Sequence, residues 1–288
     1  MKICLVSVLF IAGSCFGQKG WEAEVMPGFS SYAGDLTQTA FPIHTVQPSL
    51  SANIKYNTGD FFNFRMGLAW AMVSGNDKYN AQWDLRGRNL SFKSQILEAN
   101  LCLELNLVDP DIYYSYPYLF AGAGVFHFNP YARDNNGKKV YLKPLSTEGE
   151  GLPQYPSRKN YSLTQLCLPF GGGWKFKMKD KYTLSIELGL RYLFTDYLDD
   201  VSTRYVDKET LMSEKGQEAA QMAYRATFPI VTGDPRGNPK VKDMYTFGGV
   251  KFGFYLGRKG KKNEKSTDNS QKQRRHKKQK SQKSDSKV

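Results

Sequence analysis

Few side chains in this 288-residue sequence fall into patterns that chemistry can use. The densest is Asp196-Tyr-Leu-Asp-Asp200, followed by Arg204 and Asp207. Clustered carboxylates can hold Ca²⁺. This spacing is not that of an EF-hand loop, however, and a solvated loop cross-linked by Arg204 is expected instead. Ser146-Thr-Glu-Gly-Glu-Gly151 is glycine-rich, but neither a helix nor a P-loop lysine follows it, so it lacks the parts that cradle phosphate. His127 ends one segment of alternating polarity and Ser162 begins the next. A Ser–His pair is geometrically conceivable there, but no third partner is indicated. The histidines His44, His127 and His276 are far apart, and Cys102 and Cys167 form no CxxC pair, so no zinc spacing and no disulfide framework can be read. No catalytic, cofactor-binding or metal residue is assigned, and a non-enzymatic protein is expected.

The formal net charge is +13, and it is concentrated at one end. Residues 258–288 hold 13 Lys+Arg against 3 Asp+Glu, net +10, which leaves +3 for the rest. That segment has one aliphatic residue, Val288, and no aromatic. It buries too little apolar surface to offset the entropy of ordering, so a disordered basic tail is expected. The basic character therefore describes a tail and not a face of the folded part. No nucleic-acid partner is expected, and an anionic partner in the cell envelope suits the tail through charge alone. A purely solubilising tail is the alternative.

Met1-Lys2 precedes an apolar run from Ile3 to Gly13 and the small residues up to Gly17. This is the plan of a secretory signal peptide over 1–17. Ala12-Gly13-Ser14-Cys15 loosely resembles a lipobox, so lipoprotein processing is the rival. Either route exports the chain. Mean hydropathy is −0.53, and beyond the leader no stretch approaches the roughly 20 apolar residues of a membrane helix.

The body, 18–257, alternates with period two. Tyr182, Leu184, Ile186, Leu188, Leu190, Tyr192 and Phe194 form one side of a segment, and Thr183, Ser185, Glu187, Gly189, Arg191 and Thr195 the other, with Leu193 as the exception. Residues 97–107 and 62–72 repeat the pattern. Such alternation is longer than an ordinary globular strand. Eight strands are expected at about 20–33, 48–58, 60–75, 89–107, 116–129, 160–178, 181–197 and 243–257. Short links, including Asn57-Thr58-Gly59-Asp60 and Lys179-Asp180-Lys181, alternate with long ones at 34–47, 76–88, 130–159 and 198–242. That order is expected of an all-β, eight-stranded antiparallel transmembrane β-barrel with short periplasmic turns, long outer loops and periplasmic termini. A soluble sandwich or a lipocalin-like barrel would turn the apolar rows inward.

The barrel places Glu22, Glu24, Glu98, Glu104 and Glu187 inside with Lys55, Arg65, Lys175, Arg191 and Lys251. Opposite charges buried together offset each other's desolvation, so a plugged ionic lumen is expected and not a pore. Cys102 and Cys167 also point inward and are expected to be free thiols, because next-but-one strands are too far apart for a bridge. Trp21, Phe61, Phe62, Tyr113, Tyr114, Tyr116, Tyr118, Phe126, Phe128, Tyr131, Tyr192, Phe194, Tyr197 and Tyr255 are expected to form belts at the headgroup levels. Gly171-Gly-Gly173 suggests a mid-strand bend or bulge. Segment 208–226, with Gly216 its one glycine, suggests a helix over the outer mouth. The final strand, Gly249-Val-Lys-Phe-Gly-Phe254, is similar to a barrel-insertion signal.

Specific runs carry a family resemblance. They are Tyr32-Ala-Gly-Asp-Leu36, Phe64-Arg-Met-Gly-Leu-Ala-Trp70, Ser74-Gly-Asn-Asp77, Arg88-Asn-Leu-Ser-Phe92, Pro117-Tyr-Leu-Phe-Ala-Gly-Ala-Gly-Val-Phe-His-Phe-Asn-Pro130 and Pro144-Leu-Ser-Thr-Glu-Gly-Glu-Gly-Leu-Pro153. Pro169-Phe-Gly-Gly-Gly173, Glu187 to Ser202 and Arg236-Gly-Asn-Pro239 complete the set. Through these runs the sequence resembles the PorG-like outer-membrane barrels of Bacteroidota, associated with type IX secretion. The resemblance implies a non-enzymatic structural component of the secretion machinery. It would sit among outer-membrane lipids and touch a periplasmic ring made of a lipoprotein and its partner. No site residue comes with the resemblance, and the tail is outside it. A general envelope barrel (adhesin, envelope stability or ligand binding) is the alternative.

Overall fold

In the computed structural model the described residues are 20–37, 42–59, 61–110, 112–178 and 181–256. The expected leader (1–17) and basic tail (258–288) lie outside them. So do Asp60, Lys179 and Asp180 of the two expected tight turns.

The alternating segments form long antiparallel strands. These are β1 (Gly20–Ala33), β2 (Gln47–Asn57), β3 (Phe62–Asn76), β4 (Ser91–Asn106), β5 (Ser115–Phe128), then β8 (Thr164–Met178), β9 (Tyr182–Leu193) and β10 (Met244–Tyr255). Each neighbours the next, β10 pairs with β1, and the sheet closes. Two three-residue strands, β6 (Tyr131–Arg133) and β7 (Lys139–Tyr141), make a ribbon in the loop after β5. They are too short to announce themselves by periodicity. Helix α1 (Trp83–Arg88) lies in the loop after β3, and α2 (Lys208–Lys215) and α3 (Gln217–Ala223) lie in the loop before β10. The last two occupy the segment expected to be helical. No helix among the described residues is long and apolar enough to cross a membrane.

The register determines the bore. Following hydrogen-bonded partners from Trp21 leads through Tyr56, Phe64, Leu103, Ala121, Phe170, Leu190 and Thr246 to Ser31, ten residues further along β1. With standard strand spacings this stagger tilts the strands by about 40° and puts the backbone about 8 Å from the axis. Side chains fill such a bore.

Alternation then sorts the faces. Phe64, Met66 and Leu68 on β3, Leu97 and Leu101 on β4, Leu166 on β8 and Ile186 on β9 are exposed, and their polar neighbours are buried. Apolar rows that face outward from a closed barrel rule out the sandwich and the lipocalin-like barrel. Gly171–Gly173 makes no bulge, since the β8–β9 register runs unbroken from Cys167 to Met178. The glycines permit close approach instead. A Cβ on Gly173 would come within 2.5 Å of the Ile186 carbonyl and 2.7 Å of the Tyr118 ring.

Candidate functional site in the lumen and the long-loop plug

The ten inward charges expected from alternation are all buried; eight of them join in one ion-pair network, and Arg191 and Glu98 form a separate pair. Lys55 Nζ lies 2.9 Å from Glu22, 2.6 Å from Glu24 and 3.5 Å from Glu104. Glu104 also takes Lys175 at 2.5 Å and Arg65 at 3.7 Å. Arg65 reaches Glu187 at 2.7 Å, and Lys251 bridges Glu187 and Glu24. Arg191 pairs with Glu98 at 3.1 Å. Tyr118 and Tyr245 donate to Glu187 and Glu98 at 2.7 and 2.8 Å, and Phe120 and Phe247 lie under Arg65 and Arg191. Charge is matched, and Asn53, Asn63, Asn100 and Thr183 share the interior with the aromatic rings. The ion pairs tie the wall strands to one another across the lumen.

Tyr116, Tyr118, Phe126 and Phe128 belong to this interior. All four are buried, which corrects their expected place in the aromatic belts. On β5 the aromatic residues take the inward row and Leu119, Ala121, Ala123 and Val125 the outward one. Trp21, Phe62, Tyr113, Tyr114, Tyr192 and Phe194 are exposed as expected. Cys102 and Cys167 are buried free thiols.

Above the network, at the long-loop end, the four long loops meet on two arginines. Arg88 closes on Asp77 with Nη2 at 2.7 Å and Nε at 2.8 Å. It also donates to the carbonyls of Asp35, at 2.8 Å, and Arg236. Arg236 donates to Glu148 at 3.0 Å and to the Asp200 carbonyl at 2.6 Å. Glu148 also accepts the backbone N–H groups of Ser202 and Thr203 at 2.9 and 2.8 Å. Asp200, in the left-handed region at φ 66°, accepts Thr147 at 2.5 Å and Tyr161 at 2.7 Å. Tyr161 stacks between Phe128 and Tyr197. Leu198, Val201, Val206, Leu211, Ala219 and Met222 bury the apolar side of the plug.

Two expectations change here. The run Asp196–Asp200 is not a solvated loop, because Asp196, Asp199 and Asp200 are all buried. Arg204 does not cross-link it; its Nη1 donates to the Gly233 carbonyl at the surface. Arg236, 36 positions beyond Asp200, does that work. Asp207 caps α2 by accepting the Thr210 N–H at 2.7 Å. The apolar spacing of Tyr197, Leu198, Val201, Tyr205 and Val206 was the signal, since a solvated loop does not carry such a row. His127 Nδ1 meets Thr164 Oγ1 at 3.0 Å, while Ser162 turns its hydroxyl to the Thr164 carbonyl. The conceivable Ser–His pair is not made.

Buried plug acids outnumber the two buried arginines, and their protonation follows. One hydroxyl, Tyr32 Oη, faces Asp199 at 2.5 Å and Asp243 at 3.1 Å. Burial, and then the charge of nearby aspartates, raises both carboxyls well above the ordinary range. Burial, with Asp200 and Glu148 close by, pushes Glu150 up to about 8. Burial lifts Asp196 to about 7 although Ser202 donates to it. Asp200 rises to about 6, burial outweighing Arg236. Among the described residues no group of three His, Cys, Asp or Glu is arranged to hold a metal. A cleft of about 680 Å³ opens beside the plug, with Asp35, Asp84, Leu85, Phe228, Asn238 and Lys242 in its wall.

The barrel is similar in outline to several solved structures. Neisserial surface protein A is 9% identical over 83% of this chain and 100% of that one, with a TM-score of 0.42. A major outer membrane protein from Thermus thermophilus is 12% identical over 83% and 100%, at 0.39. The outer membrane protein OprG from Pseudomonas aeruginosa is 10% identical over 83% and 99%, at 0.36. No curated protein matches the sequence. A family model described as a domain of unknown function, DUF6089, matches residues 2–214, and the chain belongs to that family.

Proposed function

We propose that this protein is an outer-membrane barrel, with its long loops outside and its termini in the periplasm. In this reading it serves as a non-enzymatic structural component of the type IX secretion machinery. One observation carries the membrane reading: apolar rows cover the outside of a closed barrel whose inside is polar and packed. Only lipid makes that surface favourable. The matched ionic lumen and the plug favour a scaffold over a channel. Support for the secretion role is the resemblance to PorG-like barrels. Its loop runs supply Asp77, Arg88, Glu148, Asp200 and Arg236, which are the residues that lock the plug. The partner would be a periplasmic ring of a lipoprotein and its companion, touched from the short-turn end.

Deleting the gene should stop export of proteins that carry the type IX sorting domain. His127→Ala should leave export intact. Gentle detergent extraction should bring down periplasmic ring proteins. Normal export from the deletion strain would defeat the secretion role and leave the membrane barrel standing. The cleft beside the plug favours a second reading, an envelope barrel that binds a ligand or surface at its outer end. Truncation after Gly257 tests the tail: weaker co-purification with envelope partners at low salt would support an anionic partner.

A further inference from the structure

The outward face changes character on one side of the rim. On the β4–β5 pair the apolar rows run up to Leu97 and His127, which are partners across the ladder. The same register continues past the end of β5 into the ribbon, where Lys93 pairs with Tyr131. Tyr131 faces Tyr141, and Arg133 faces Lys139. Alternation puts Tyr131, Arg133, Lys139 and Tyr141 on one face of the ribbon and buries Ala132 and Val140 on the other. Lys93, Arg133 and Lys139 are exposed. The Lys139 ammonium lies 4.0 Å from the Tyr131 ring centre and 4.5 Å from that of Tyr141, and donates to the Tyr141 hydroxyl at 2.9 Å. Neighbouring Lys138 pairs with Glu218 at 2.8 Å. Lys93, Arg133 and Lys139 have no carboxylate partner among the described residues. Asp134 turns its carboxylate onto the N–H groups of Asn136 and Lys138.

Directly below, the outer wall is hollowed. A groove of about 490 Å³ runs between Leu50, Leu68, Trp70, Leu97 and Val125, with Ala52 and Ala99 as its floor and His127 at its upper end. Four residues along a strand tilted by about 40° rise about 10 Å. The Lys93–Tyr131 pair therefore stands about that far above the last apolar row, and Lys139, two residues farther along the ribbon, reaches back to the Tyr131 ring. Headgroup regions extend about 5–8 Å beyond the hydrocarbon on each side, and long basic side chains reach down to them.

We propose that this side of the barrel is a binding site for a phosphate-bearing lipid of the surrounding leaflet. Lys93, Arg133 and Lys139 take the headgroup phosphate, with Tyr131 and Tyr141 beside it, and an acyl chain lies in the groove over Ala52 and Ala99. Charge complementarity selects the anionic lipid. The site rests on the membrane reading of the preceding section.

The full chain is reconstituted in phosphatidylcholine vesicles doped with diphosphorylated lipid A, extracted with mild detergent, and scored for retained lipid by native mass spectrometry. Retention should fall at least tenfold with the dephosphorylated lipid, and tenfold in the triple variant Lys93→Gln, Arg133→Gln, Lys139→Gln. It should also weaken as salt rises. Ala99→Phe, which fills the groove, should reduce retention while the three cations remain. Equal retention of the two lipids, or by wild type and triple variant, would overturn the headgroup site. Retention untouched by Ala99→Phe, or release of the lipid by millimolar inorganic phosphate alone, would overturn the acyl seat. Resistance of each variant to carbonate extraction shows that the barrel is inserted. A wild type that inserts but shows no preference sinks this site alone, whereas a wild type that does not insert sinks the membrane reading beneath it.

Discussion

Glu104 is the keystone of the lumen, and replacing it tests whether the interior is dry. Its side chain is fully buried and lies within 4 Å of Lys55, Arg65 and Lys175. Glu104→Leu removes one negative charge and strands Lys175, while Lys55 keeps Glu22 and Glu24 and Arg65 keeps Glu187. Removing one partner of a buried ion pair costs about 3–5 kcal/mol, because the stranded charge keeps its desolvation penalty. That is about two to three and a half orders of magnitude in the folding equilibrium. Lys175→Met should cost less, since Glu104 keeps Lys55 at 3.5 Å and Arg65 at 3.7 Å. The double variant Glu104→Leu, Lys175→Met restores charge balance and should regain much of the loss. The assay is reversible urea unfolding from lipid vesicles, followed by fluorescence of the four tryptophans. A rim variant, Lys138→Gln, breaks an exposed pair and should leave the midpoint unchanged. If Glu104→Leu also leaves the midpoint unchanged, water reaches the lumen and the packed-scaffold argument fails.

Other outcomes can be checked beside this one. The plug acids have carboxyls raised by burial, so the folded plug holds protons that the unfolded loops release. Its stability is fully present below the ordinary carboxylate range near pH 4 and declines as pH rises through the values of about 6 for Asp200, about 7 for Asp196 and about 8 for Glu150. Amide exchange in 196–203 should accordingly be faster at about pH 9 than at about pH 5, after correction for the intrinsic pH effect; equal protection at both would contradict this. Arg236→Ala takes the counter-charge from Glu148 and the donor from the Asp200 carbonyl and should open the long loops to protease while the barrel stays resistant to carbonate extraction. Cys102 and Cys167 should resist maleimide in the folded barrel and react once it unfolds, because both thiols are buried. In planar bilayers the wild type should show no steady conductance, as the lumen is filled by paired side chains.

The difference between the wall and the plug lies in how far apart the interacting residues stand. Period-two alternation is a local property, and the ladder repeats it strand after strand. The strand positions, the ten inward charges and the closure of β10 on β1 were therefore legible from the chain itself. The chemistry of the rows also showed which way they faced, since leucine rows on a closed cylinder leave the glutamates and lysines inside. On β5 the same rule holds: alternation places Tyr116, Tyr118, Phe126 and Phe128 inward, although aromatic residues near strand ends also suit a headgroup belt.

The plug has no such period. Asp77 and Arg88 are 11 positions apart, Glu148 and Arg236 are 88, and Tyr32 and Asp243 are 211. Any acid in a long loop could have met any arginine, and Arg204 was closer in sequence to the Asp196 run than Arg236. Only the packed structure decides among them, because the loops must bury Leu198, Val201 and Val206, and that burial determines which charges come within reach. Likewise, the sequence determined that Lys93, Arg133 and Lys139 are basic, but only the register across Lys93 and Tyr131 sets them on one face above the apolar belt. Residues two apart along a strand share a face by geometry, whereas residues from different loops meet only where the whole chain has already folded.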